Sequence, residues 1–192
     1  IPLVVFIIGM SAVAGIVCSI NNEQNKQNRT MANLNAMTYA ERMKTDIMKG
    51  IAVSDSLRQI IISEDGQLNK FCEIAEEMMA DSVQSIQIAP DGFVTDIYPK
   101  EGNDAGKVDL LNDKDRGEIC RYGRDNKVVT MQGPFQLKQG GYGIAVRNPV
   151  YIEENGHEDF WGFAIVIIRV PEIFADSMKA LSDFGYNYIL YK

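Results

Sequence analysis

The stretch that decides the fold is Val83-Gln84-Ser85-Ile86-Gln87-Ile88-Ala89-Pro90-Asp91-Gly92-Phe93-Val94-Thr95-Asp96-Ile97-Tyr98. Between Val83 and Ala89, Ile86 and Ile88 alternate with polar residues, the period of a half-buried strand. Pro90-Asp91-Gly92 is a tight-turn signal. Phe93 to Tyr98 then reads as the return strand, so the two form a hairpin and an antiparallel sheet starts here.

Downstream, Pro99 to Asp109 is a glycine-bearing loop, and Asn112 or Asp113 caps a short helix to about Tyr122. Lys127–Met131 and Pro134–Lys138 read as short strands around Gly133-Pro134. After the turn Gln139-Gly140-Gly141-Tyr142-Gly143, a longer strand runs from Gly143 to Ile152, and Glu154-Asn155-Gly156 turns the chain again. Phe160 to Val170 is almost wholly apolar, as a central strand covered on both faces must be. Pro171 opens a helix through Phe184, and Tyr186–Tyr191 reads as one more strand.

Upstream, Leu68–Asp81 is a helix with Phe71, Ile74, Ala75, Met78 and Met79 inward, set off by Glu64-Asp65-Gly66. Before it, Met31, Leu34, Met37, Ala40, Met43, Ile47 and Ile51 recur every three or four residues, a stripe on one face of a long helix. Continued to Ile62, that helix is about 60 Å long at 1.5 Å per residue, and its stripe needs a domain or a partner helix to pack on. Residues 1–20, IPLVVFIIGMSAVAGIVCSI, carry no charge and match the thickness of a hydrocarbon core. The domain reading is therefore a membrane helix at 1–20, a stalk helix at 21–62, a PAS-like sheet subdomain at 63–170, and at 171–192 a connecting helix and a last strand. The fold class is α+β: a PAS-like antiparallel sheet with flanking helices behind the membrane and stalk helices.

Composition narrows function. With 19 basic and 26 acidic side chains the formal net charge is −7, which argues against a general nucleic-acid binder. The single histidine, His157, sits in a polar turn and is the only residue on which a Ser-His-Asp or Cys-His site could be built. One histidine also excludes a multi-His metal site, and no cofactor is expected. Gly140-Gly141-Tyr142-Gly143 lacks the Lys-Ser/Thr and the helix of a phosphate loop. Asp113-Lys114-Asp115-Arg116-Gly117 fails as a calcium loop because Lys114 and Arg116 fall on ligand positions. Nothing assembles a nucleophile, a base and an orienting group. Cys72 and Cys120 read as free thiols, with a disulfide between them the alternative.

One residue breaks its strand. In Gly143–Ile152, Ile144, Val146, Val150 and Ile152 share one face, while Ala145, Arg147, Pro149 and Tyr151 share the other. Arg147 is either an edge-strand surface charge that discourages aggregation or a guanidinium aimed into a cleft to clamp an anion.

The run from Ile86 to Val170 also resembles a known family. Its pieces in order are Ile86–Gly92, Tyr98-Pro99, Glu101-Gly102-Asn103, Gly106 with Asp109-Leu110-Leu111, Gly133–Leu137, Gln139–Gly143, Arg147–Tyr151 and Phe160–Phe163. This order and spacing is similar to the CHASE domain, the extracytoplasmic sensory domain of membrane-bound histidine kinases and nucleotide cyclases. The resemblance implies a dimer through the stalk, a membrane-distal PAS-like ligand-binding subdomain and a smaller proximal one. It also implies a second membrane helix and a cytoplasmic output module beyond Lys192. Family members in plants bind cytokinins, whereas a charged Arg147 on the pocket strand argues against a neutral purine here.

The expected function is a small-molecule sensor of a bacterial sensor histidine kinase, with the globular part outside the cell and no catalysis in this segment. A diguanylate cyclase output, a protein-binding scaffold and a membrane-anchored enzyme are the alternatives. The expected site lies between the sheet face bearing Arg147 and Tyr151 and a lid formed by the loop Pro99–Asp109. Tyr98 and Tyr142 supply an aromatic wall, and Asp109 holds the guanidinium when the site is empty. A small anion, a carboxylic acid or an amino acid, is the expected ligand.

Overall fold

The computed structural model describes residues 2–101, 108–137, 141–154, 156–183 and 185–187. In chain order the elements are α1 (Pro2–Ser63), α2 (Phe71–Met78), β1 (Val83–Pro90), β2 (Asp96–Tyr98), α3 (Gly117–Asn126), β3 (Thr130–Gln136), β4 (Tyr142–Glu154), β5 (His157–Arg169) and α4 (Val170–Asp183). The chain divides into two compact units, residues 1–42 with 177–192 and residues 43–176. In the first, the described part of the uncharged N-terminal stretch is helical and leaves Leu3, Phe6, Ile7 and Ile8 exposed, and α1 is long and apolar enough there to cross a membrane.

The second unit holds a five-stranded antiparallel sheet in the order β2-β1-β5-β4-β3. The apolar run read as a central strand is β5, and it does occupy the centre. The two short strands expected around Gly133-Pro134 are one strand, β3, whose register with β4 breaks between Gln132 and Phe135. The return strand of the first hairpin is shorter than expected. Val94 donates its N–H to the Val108 carbonyl and Phe93 bridges Asp109, so only Asp96–Tyr98 pairs along β1 as a strand. The helix expected from Asn112 starts later, at Gly117, because the Asp113 carboxylate accepts the N–H groups of Asp115 and Arg116 in a turn ahead of it. The strand expected at Tyr186–Tyr191 falls mostly outside the described residues.

Each face of the sheet has its own core. On the helix side, Leu57 and Ile61 of α1 and Phe71 and Ala75 of α2 pack on Ile86, Val146, Val166 and Ile168. The spacing explains this: Leu57 and Ile61, like Phe71 and Ala75, are four apart and share a helix face. Full burial of each Leu or Ile contributes about 1.5–3 kcal/mol. Two glycines set the closest approaches. A methyl at Gly50 would collide with the Ile168 side chain, so α1 lies directly on β5 at that point. Gly162, at φ +152°, sits against the Ala89 carbonyl, where a Cβ has no room. On the other face Cys120, Ala145, Phe163, Ile165 and Ile167 form the second core. Cys72 packs on the helix side and Cys120 is buried on the other; both are free thiols.

Candidate functional site

β4 lies between β5 and β3, so Arg147 is on an interior strand, and it is 2% exposed. The surface reading of Arg147 therefore falls. Its odd-numbered neighbour Ala145 belongs to the second core, while Val146 and Val150 face the helices. Among the described residues its Nε and Nη1 have no hydrogen-bond partner. A buried charge without partners costs several kcal/mol, so such groups are rare unless a ligand supplies what is missing. Burial pushes the guanidinium below its usual pKa, and the nearby Cys120 acts in the opposite sense. The shift does not discharge an arginine, whose guanidinium stays protonated in proteins. The reciprocal effect is seen at Cys120, where burial raises the thiol and Arg147 opposes the rise.

Arg147 opens on a cavity of about 160 Å³. Ser85 and Gln87 of β1, Arg116 ahead of α3 and Gln136 of β3 add polar groups to its wall, and Val94, Ile97, Phe135, Ile165 and Ile167 supply the apolar surface. Gln87 Nε2 donates to Ser85 Oγ at 3.0 Å. Arg116 Nη1 stands 3.6 Å from Asp113 Oδ2.

Of the five residues expected at the site, only Arg147 lines this cavity. Tyr151 shares its face but lies four residues along, beyond a register shift after Val150. There its hydroxyl donates to the Arg124 carbonyl, its ring meets Phe160 edge-on at 5.6 Å, and Lys127 Nζ stands 4.7 Å over it. Burial raises the Tyr151 phenol while Lys127 and Arg124 counter it. Tyr98 is paired opposite Ile86 and packs with the helix-side core; burial, then Glu76, raises its pKa. Its neighbour Ile97 faces the cavity instead. Tyr142 has the parity of Val146, across the sheet from Arg147, and is 55% exposed. Asp109 does not hold the guanidinium. Its carboxylate accepts the N–H groups of Leu111 and Asn112 and the Asn112 amide, and these bonds, the Asn112 side chain first, lower its pKa. Val108 and Leu110 on either side of it line the cavity instead. Residues 102–107 of the expected lid lie outside the described residues.

Ser85, Gln87 and Arg116 were not anticipated. The signal for the first two was present: the polar side of β1 adjoins an apolar strand covered on both faces, so it had to face a covered layer rather than water. Arg116 carries no such signal, because it comes from an irregular segment.

The CHASE domain family model matches residues 23–190. The chain belongs to the CHASE domain family. This CHASE domain finds no match among curated protein sequences. Among solved structures it is similar in fold to an extracellular ligand binding receptor from Desulfohalobium retbaense, with TM-score 0.60 and 11% identity over 73% of this chain and 25% of that one. It is also similar to the ligand binding domain of the Pseudomonas aeruginosa amino acid chemoreceptor PctC in complex with GABA, with TM-score 0.54 and 15% identity over 74% and 66% of the two chains. A third is the ligand-binding domain of the Campylobacter jejuni chemoreceptor Tlp3 in complex with 4-methylisoleucine, with TM-score 0.53 and 12% identity over 75% and 57%. This CHASE domain thus spans under two thirds of the length of each of these chains.

Proposed function

We propose that this CHASE domain is the extracytoplasmic sensory part of a membrane-bound receptor histidine kinase, and that it binds a small anion at Arg147. Residues 1–20 anchor it, residues 21–62 form a stalk that pairs with a second copy, and residues 63–170 bind the ligand. Residues 171–192 open the connection toward the membrane. The observation that carries the reading is the buried Arg147 guanidinium, with Nε and Nη1 unpartnered, on a cavity of about 160 Å³. A carboxylate or phosphate in the cavity accepts charged hydrogen bonds from this guanidinium, each contributing roughly 1.5–3 kcal/mol. The ligand-bound chemoreceptor domains of similar fold support a small-molecule site in this architecture. Ligand occupancy then shifts the balance between two arrangements of the stalk helices, and the shift passes to the kinase.

A thermal-shift screen of the whole chain in detergent micelles, with small organic acids, inorganic phosphate and neutral purines, tests the site. An acid or phosphate stabilises the chain. Arg147→Ala loses that shift and Arg147→Lys loses most of it, because an ammonium cannot place its donors as the planar guanidinium does. Stabilisation by a neutral purine that survives in Arg147→Ala sinks the anion site.

A further inference from the structure

The wall of the cavity carries two guanidinium groups, Arg147 and Arg116, and among the described residues it carries no Asp or Glu. The acid whose charge acts on Arg147 is Asp113. Asp113 is already engaged, by the Arg116 guanidinium at 3.6 Å and by two backbone N–H groups at 2.9 Å. The remaining polar wall groups, Ser85, Gln84, Gln87 and Gln136, are neutral. An α- or ω-amino acid brings an ammonium as well as a carboxylate. In this cavity the carboxylate finds Arg147, but the ammonium finds a like charge there and, among the described residues of the wall, no carboxylate to pair with. Moving a charged amine out of water without a paired acid is strongly unfavourable, and like charges brought together add to the cost.

We infer that the ligand is a small carboxylic acid without an ammonium group, carrying a short branched or single-ring apolar body. This rests on the proposed anion site at Arg147. Size limits the body: a dry apolar cavity of about 150 Å³ accommodates benzene, and this one is about 160 Å³. The apolar wall of Val94, Ile97, Phe135, Ile165 and Ile167 rewards such a body for leaving water. The preference separates this domain from its structural neighbours, whose bound molecules, GABA and 4-methylisoleucine, both carry an amine.

Matched pairs that differ only in the ammonium test the inference. Butanoate against GABA, and 3-methylpentanoate against isoleucine, are titrated calorimetrically into the whole chain in detergent micelles at neutral pH. In each pair the expected result is binding of the amine-free acid at least tenfold tighter. Arg147→Ala and Arg147→Lys, each checked for native Trp161 fluorescence, abolish or weaken that binding. If GABA or isoleucine binds as tightly as its amine-free partner, and Arg147→Ala still abolishes binding, the inference is wrong while the anion site stands. If no acid binds, or binding is indifferent to both Arg147 variants, the anion site and the inference fail together.

Discussion

The two faces of the sheet are made from the same five strands and are built to opposite ends. On the helix side the wall is mostly apolar and closed: Leu57, Ile61, Ile86, Val146, Val166 and Ile168 are all buried within one cluster. On the other side the same strands put Ser85, Gln87 and Arg147 around an open volume, and Arg147 keeps two nitrogens unpartnered. Alternation along a strand makes this division possible, because neighbouring residues serve different faces. One face therefore supplies the stability that lets the other retain a costly charge and a cavity. This is the usual trade at binding sites, where groups are held in place for a ligand rather than for the empty state.

Truncating the closed face has the largest expected effect. Leu57→Ala removes a fully buried side chain at the contact between α1 and the sheet and should cost about 2–5 kcal/mol. Urea unfolding in micelles, followed by the single tryptophan, Trp161, which packs against that same core, measures it. A loss below 1 kcal/mol would break the contrast between the faces. The open face should respond in the other direction. Arg147→Met exchanges an unsatisfied buried cation for an apolar side chain of similar length, and should stabilise the ligand-free chain by about 1–3 kcal/mol while removing acid binding. Destabilisation by that variant would mean that the guanidinium is satisfied within the empty protein. The smallest effect is at Gly50. Alanine there gains about 1 kcal/mol of helix propensity but meets Ile168, so Gly50→Ala should lose about 1 kcal/mol net, and Ile168→Val in the same chain, which removes the nearer of the two clashing atoms, should recover part of the loss. Additive costs in the double variant would show that the helix and β5 are not in direct contact at this point.

Much of this was legible in the sequence, and the reasons differ by residue. The alternation of Ile86 and Ile88, the turn at Pro90-Asp91-Gly92 and the apolar run from Phe160 are local signals, and local signals survive folding. Arg147 could be placed on the face of Ala145 because β4 has no register shift before Val150. The rest of the site depended on how strands and loops pair. Tyr98 and Ile97 differ by one position, and one position decides the face. Tyr142 was in fact readable, since counting in twos from Val146 takes it away from Arg147. Asp109 was drawn to its own loop by Asn112, a local competitor that a distant guanidinium does not displace. Arg116 reaches the cavity from outside any regular element, where periodicity offers no guide.

β5 is a partition one backbone thick. Ile165 and Ile167 are the cavity's boundary on one side, while on the other Ile168 bears on α1 at Gly50, with no side chain between them to act as a cushion. Close-packed interiors have little compressibility. On the proposed function, the shortest mechanical route from ligand to helix is therefore a single strand wide.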